Sequence, residues 1–231
     1  TSFLTSKEQI ITQAYIFHNQ GNISEAKKYY EYFISQGFSD SKVFFNYATL
    51  LKSLGKLHEA ELSTRKSIEL NPDFAFAHAN LGNILSDLGK WQEAELSQRR
   101  AVELNPDLAE AYSNLGNTLR ELGRLKEAEM SLLNAIKLKP DLAFAHFNLG
   151  LVLRDFGKSI EAEISLHKAI KLNPQCAKSY STLGSILLEL GKFEEAELLY
   201  QKAIKINPDL TDIYYSLSKL KKTFYNKVWL D

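Results

Sequence analysis

The chain has 231 residues, 45% of them apolar, with 28 basic and 28 acidic residues and an isoelectric point near 6.9. Without an excess of positive charge, nucleic acid and an anionic membrane are disfavoured as main partners, since both select a basic face. The one cysteine, Cys176, excludes an intrachain disulfide framework and fits a reducing, cytoplasmic setting, while no apolar run reaches membrane-spanning length and the start shows no secretory pattern.

Residues 1–6 are a lead-in that ends in a capping signal, Ser6 with Gln9. From residue 7 the chain repeats itself every 34 positions. Asn71-Pro72, Asn105-Pro106, Lys139-Pro140, Asn173-Pro174 and Asn207-Pro208 keep that spacing. Gly21, Gly55, Gly89, Gly123, Gly157 and Gly191 form a second series, Gly82, Gly116, Gly150 and Gly184 a third, and Ala26, Ala60, Ala94, Ala128, Ala162 and Ala196 a fourth. Such a chain is a tandem array whose function lies on the surface that stacking creates. The units run 7–40, 41–74, 75–108, 109–142, 143–176 and 177–210, followed by a helix over 211–231.

The first unit departs from the others, with Phe33 where later units have alanine and Phe38 where they have proline, so its junction to the second is expected to be irregular. The third unit, 75–108, shows the pattern best. Leu81, Ile84, Leu85 and Leu88 predict a first helix from Ala75 to Leu88, which Gly89 ends. Ala94, Ala101, Val102 and Leu104 predict a second from Trp91, closed by Asn105-Pro106-Asp107, which also suits the start of the next helix: asparagine as cap, proline in the first turn, aspartate at the positive end. Each unit is thus two antiparallel helices. Gly82, Ala94 and Ala101 mark close helix approach, and Leu81, Leu85, Trp91 and Leu104 fill the space between. Paired glutamates such as Glu93 and Glu95 recur where each second helix opens, a placement that helix-end electrostatics explains without acid–base chemistry. The last helix carries Lys219, Lys221 and Lys222, as a solvated cap should, yet also Tyr214, Tyr215, Phe224, Tyr225 and Trp229. Either these aromatics pack on the last unit or the native chain continues beyond Asp231. Thr1 in place of methionine points to a start that has been cut or replaced.

Leu81-Gly82, Trp91, Ala94, Ala101 and Pro106, repeated with one period over most of the chain, resemble a tetratricopeptide repeat (TPR). The resemblance implies an all-α fold, a right-handed α-solenoid of six helix pairs plus a C-terminal helix, with the first helix of each pair lining the concave wall. On that wall it places Asn46, Asn80, Asn114 and Asn148 just before the Leu-Gly pair or its equivalent, and Asn83 and Asn117 just after it. An asparagine offers both a donor and an acceptor to one peptide group. The Asn-Leu-Gly-Asn pattern is similar to the TPR region of the O-linked N-acetylglucosamine transferases, where an asparagine ladder holds protein substrates; the alternative is a solvated consensus residue copied with the unit. Arg120 and Arg154 come one turn later, beside Glu121 and Asp155, and either grip acidic ligand side chains or pair with these neighbours. Phe76, Phe144 and Phe147 offer apolar contact or seal helix packing. The lysine of the carboxylate clamp in chaperone-binding TPR domains is missing: its position holds Ile11, Phe45, Ala79, Ser113, Phe147 or Ser181.

No catalytic site, cofactor or metal site is expected. His78 and His146 stand where other units have Tyr112 and Tyr180, which marks a packing position; His18, His58 and His167 form no ligand pair, and Cys176 has no activating triad. The expected function is a scaffold that binds an extended peptide or partner protein in the groove. The alternative is the substrate-recruiting arm of a longer enzyme, a glycosyltransferase or sulfotransferase, and self-association through the array ends is a third reading.

Overall fold

The computed structural model describes residues 6–228, the side chains of Lys219 and of residues 221–228 excepted. Its order is α1 (Lys7–Asn19), α2 (Ile23–Ser35), α3 (Ser41–Ser53), α4 (Leu57–Leu70), α5 (Ala75–Asp87), α6 (Trp91–Leu104), α7 (Ala109–Glu121), α8 (Leu125–Leu138), α9 (Ala143–Asp155), α10 (Ser159–Leu172), α11 (Ala177–Glu189), α12 (Phe193–Ile206) and α13 (Thr211–Val228). The fold is an all-α helical repeat of the solenoid class. The boundary between two compact units falls inside α7, between Asn114 and Leu115.

In the first unit α1 packs on α2, α3 on α4 and α5 on α6, and α4 bears on α5 across the repeat junction. Its core holds Ile10, Tyr30, Phe33, Val43, Leu50, Leu51 and Ile84, all essentially without exposure. In the second unit each helix from α8 to α12 packs on its successor, around Leu132, Val152, Leu166, Leu183 and Tyr200. Ala94, Ala101, Ala128 and Ala135 are fully buried, as close approach requires. A Cβ added at Gly116 would stand 2.5 Å from Leu132 Cγ, and one at Gly150 would stand 2.7 Å from Leu166 Cγ, so these helices meet only because the side chain is missing.

Helix ends follow simple rules. Gly89, at φ +73°, takes the left-handed turn after α5 that any side chain would strain. Ser6 and Gln9 close the expected capping box on α1, Ser6 Oγ accepting from the Gln9 amide at 3.2 Å and Gln9 Oε1 from the Ser6 amide at 3.4 Å. The Asn-Pro-Asp turn works differently from the sequence expectation. Asn105 caps the end of α6 and its Oδ1 accepts from the Asp107 amide at 3.1 Å, so the proline lies outside both helices. Asn71, Asn173 and Asn207 make the same turn. The N-cap position of the next helix then holds Phe74, Leu142 or Cys176, none of which makes a side-chain cap bond. The asparagine oxygen is spent two residues on and is no longer free to cap a helix.

The junction between the first two pairs is irregular, as expected. α2 has 13 residues where α4 has 14, a second left-handed glycine, Gly37, follows it, and Phe33 packs on Phe38 with ring centroids 5.5 Å apart. Asp40 then caps α3 by accepting from the amides of Lys42 and Val43. On α13, Ile213 and Leu220 are buried while Tyr214 and Tyr215 are exposed. The side chains of Lys219, Lys221, Lys222, Phe224 and Tyr225, and Trp229 altogether, lie outside the described residues. Among the described residues no helix is long and apolar enough to cross a membrane.

Candidate functional site

The first helices carry the residues singled out for ligand contact, and their surroundings differ from pair to pair. Asn46, on α3, is half-buried and lines an open cleft of about 310 Å³ with Tyr15, His18, Asn19, Tyr30, Phe45 and Thr49. Its side chain hydrogen-bonds the Tyr15 phenol; burial and the Asp40 charge raise the pKa of that phenol more than the bond lowers it. His18 Nδ1 lies 2.9 Å from the Tyr30 hydroxyl, and burial holds the imidazole below its ordinary pKa, so the cleft favours the neutral ring. Phe45 meets Phe74, with ring centroids 5.1 Å apart, and Phe74 meets the half-exposed Phe76, extending an aromatic floor towards α5.

Asn80, on α5, donates from Nδ2 to Thr64 Oγ1 at 3.3 Å, and Thr64 in turn donates to the Ala60 carbonyl at 2.8 Å. One amide hydrogen and the oxygen of Asn80 make no hydrogen bond among the described residues. Asn83, three residues on along the same helix face, is half-buried and makes no side-chain hydrogen bond among the described residues. Asn114 and Asn117, on α7, are half-buried too.

Asn148, on α9, has only 1% of its surface exposed, and its Nδ2 is buried without a partner. The cause is readable from the repeat. Asn80 finds Thr64 sixteen positions back, whereas sixteen positions before Asn148 stands Leu132, which has no acceptor. This register position runs Tyr30, Thr64, Gln98, Leu132, Leu166, Tyr200. Gln98 is 1% exposed, with neither amide atom hydrogen-bonded, and its Cγ fills the space that a Cβ on Gly82 would take. It escapes a reading of the first helices alone. The signal for it is a polar residue at a second-helix position that faces the small-residue series.

Arg120 and Arg154 pair with their neighbours. Arg120 reaches Asp155 Oδ2 from Nε and Glu121 Oε1 from Nη1, both at 2.6 Å, and Arg154 Nη2 meets Asp155 Oδ1 at 3.3 Å. Two pairs earlier, Lys52 and Asp87 make the same link at 3.1 Å, so this is a repeat-to-repeat tie as well as a charged patch.

The paired glutamates do more than meet helix ends. Glu61 takes two bonds from Arg65 and one from Lys90, the lysine that opens the next second helix, and Arg65 also reaches Glu93 at 2.9 Å. Burial pushes the Glu61 carboxyl up, but the bonds and charges of Lys90 and Arg65 outweigh it and leave its pKa below the ordinary value. Lys158 with Glu129 and Lys192 with Glu163 repeat the tie. His78 and His146 contact the carbonyls of Pro72 and Pro140 at 2.8 and 2.9 Å, clamping the turn before each helix. Among the described residues no three His, Cys, Asp or Glu side chains gather where they could hold a metal ion.

Models of the tetratricopeptide repeat match residues 41–74, 64–95, 82–120, 116–155, 145–176 and 177–210, and the chain belongs to the tetratricopeptide repeat family. Among solved structures it is similar to YrrB, a TPR protein with an unusual peptide-binding site, at 24% identity over 81% of this chain and 96% of that one, with a TM-score of 0.58. It is similar to pilF of Pseudomonas aeruginosa at 23% identity over 81% and 85%, TM-score 0.71, and to the APC/C hetero-tetramer Cut9–Hcn1 at 16% identity over 93% of this chain and 46% of that one, TM-score 0.80. At these identities the likeness is one of fold. No curated protein matches the chain.

Proposed function

We propose that this TPR chain is a protein-interaction scaffold that holds an extended peptide along the first helices of its first unit, with Asn46, Asn80, Asn83 and Asn114 as backbone anchors. Family membership supports the scaffold role in general, and YrrB, with its peptide-binding site, is one protein of this fold that takes a peptide. The observation that carries the finer reading is unspent hydrogen-bonding capacity. The Asn83 amide is free, Asn80 keeps its oxygen and one hydrogen, and Asn46 borders an open aromatic cleft. An extended strand advances about 3.3 Å per residue and packed helices lie about 8–10 Å apart, so one asparagine serves every third residue or so of a bound chain. Backbone anchoring tolerates many ligand sequences, while Tyr15, Phe45 and Phe76 select for an apolar or aromatic side chain at the α1–α5 end. In the second unit Asn148 is too deep to anchor a ligand, and Arg120 and Arg154 bind a ligand carboxylate only by releasing Asp155.

The test selects peptides from a random displayed library against the chain and measures affinity by fluorescence anisotropy. Three lost hydrogen bonds at roughly 1 kcal/mol each predict binding about a hundredfold weaker in the Asn46→Ala/Asn80→Ala/Asn83→Ala variant. Unchanged affinity with intact helicity would return these asparagines to solvated consensus positions.

A further inference from the structure

The second helices carry a series of their own, on a face the peptide reading does not use. Leu62, Leu96, Met130, Ile164 and Leu198 recur every 34 residues, and each is about two-thirds exposed. The first pair has Lys28 at this position. Scattered exposed aliphatics need no explanation, but the same register left bare in five successive helices does.

The second unit shows how they sit. Lys158, which opens α10, ties to Glu129 of α8 at 3.5 Å, and Lys192, which opens α12, ties to Glu163 of α10 at 3.0 Å. These ties hold α8, α10 and α12 side by side. Met130 and Ile164 each follow a tied glutamate, and Leu198 is next in the series. One turn along the same faces, Ile160 is 67% exposed and Leu133 50%. The result is an apolar patch across three neighbouring helices.

We infer that this patch is a two-fold interface with a second copy of the same chain, centred on Ile164 of α10. Charge identifies the occupant. Along α10 the exposed face runs from acidic Glu161 through Ile164 to Lys168, and neither charge has an ion pair among the described residues. α12 opens with exposed Glu194 and Glu195, while α8 closes with exposed Lys137, again without ion pairs. A parallel overlay would set like charges together. An antiparallel overlay about Ile164 sets Glu161 of each copy against the Lys168 end of α10 of the other. It also lays α8 of one copy on α12 of the other, so that Met130 meets Leu198, and Glu194 and Glu195 approach the Lys137 end. An identical partner supplies the matching period, the matching apolar stripe and the opposite charge order at once. In the first unit the cations that correspond to Lys168 are already neutralised, Lys66 by Glu69 and Arg100 by Asp73 and Glu103, so the second unit is the side that pairs.

Sedimentation equilibrium tests this on the full chain. The wild type is expected to pass from monomer to dimer as concentration rises, and Ile164→Glu to weaken the dimer at least about tenfold, as a substitution at an interface centre does. Glu161→Lys and Lys168→Glu should each weaken it, while the double swap should restore it, because each copy then again presents both signs to the other. The swap touches only exposed polar positions, so it stays informative even if Ile164→Glu harms the fold. A wild type that stays monomeric at all concentrations would overturn the proposal, as would a dimer indifferent to Ile164→Glu or a double swap that fails to recover. Peptide binding through the first helices is measured separately, so either reading can fail alone.

Discussion

Gln98→Leu should stabilise the protein, and the repeat supplies its own control. Gln98 fills the register position against Gly82 that Leu132 fills against Gly116 and Leu166 against Gly150. In the latter two pairs a leucine is accepted without exposure, so the exchange asks for a packing the chain already makes twice. At Gln98 both amide atoms are buried without a hydrogen-bond partner, and an unpaired buried polar group costs about 1–3 kcal/mol. Removing one amide that holds both orphans, and gaining roughly one to two methylenes of apolar burial at about 0.8 kcal/mol each, predicts about 2–5 kcal/mol of added stability. For a chain of this size that raises Tm by roughly 4–20 °C. Urea unfolding followed by circular dichroism measures it, with the m value read alongside, since repeat arrays can unfold in parts and a changed slope would signal altered cooperativity. A midpoint that falls would refute the reasoning. It would mean that the Gln98 amide has a hydrogen-bonding partner and that its polarity is used.

Two further substitutions and one titration test the packing, the ties between repeats and the cleft. Ala128→Leu places a large side chain at a fully buried contact and should lower stability by about 1–3 kcal/mol or more; an unchanged melting temperature would put the helix register in error. Glu61→Gln should destabilise at neutral pH and flatten the acid limb: because the folded carboxyl titrates below its ordinary value, its contribution is complete above about pH 4.3 and is lost as pH falls through the folded value. Wild type and variant with equal acid sensitivity in urea titrations from neutral to acidic pH would show that the Arg65 and Lys90 bonds do not hold in solution. The folded cleft lowers the pKa of His18, so its neutral form contributes stability above about pH 6.5 that declines as pH falls through the folded value. An NMR titration in which His18 protonates at or above the ordinary imidazole value would refute that burial.

Much of the fold was legible because its determinants are local and repeated. A glycine that must turn left-handed, an alanine that must let two helices touch and a capping box each act within a few residues, and six copies make the pattern unmistakable. The Asn-Pro-Asp turn is ambiguous in the sequence for an equally local reason: two uses of one asparagine oxygen, capping the next helix or bonding two residues on, are compatible with the same letters. The glutamate pairs look like helix-end charges in the sequence because the partner that ties one repeat to the next is not a sequence neighbour. Lys90 lies 29 residues after Glu61, a distance that becomes a contact only once the next pair is stacked.

The candidate site was harder for a related reason. A repeat gives every copy the same backbone position, but a side chain's availability depends on what the neighbouring copy places against it. Asn46, Asn80 and Asn148 share one register, and the structure makes them a cleft wall, a half-spent hydrogen-bonding group and a buried orphan. The difference comes from a position on the preceding second helix that reads Tyr30, Thr64 and Leu132. On the proposed peptide-binding reading, specificity is written in two helices at once, the first carrying the anchor and the second deciding whether the anchor faces a ligand or is buried and left unpaired. It follows that changing Leu132 to threonine should give the Asn148 amide the acceptor it lacks, just as Thr64 serves Asn80. The exchange removes apolar bulk beneath Gly116 and so trades packing for a hydrogen bond. A Leu132→Thr/Asn148→Ala double-mutant cycle would isolate the coupling between the two, predicted near 1 kcal/mol. A coupling indistinguishable from zero would break the link between second-helix residue and first-helix asparagine on which the reading of the site depends.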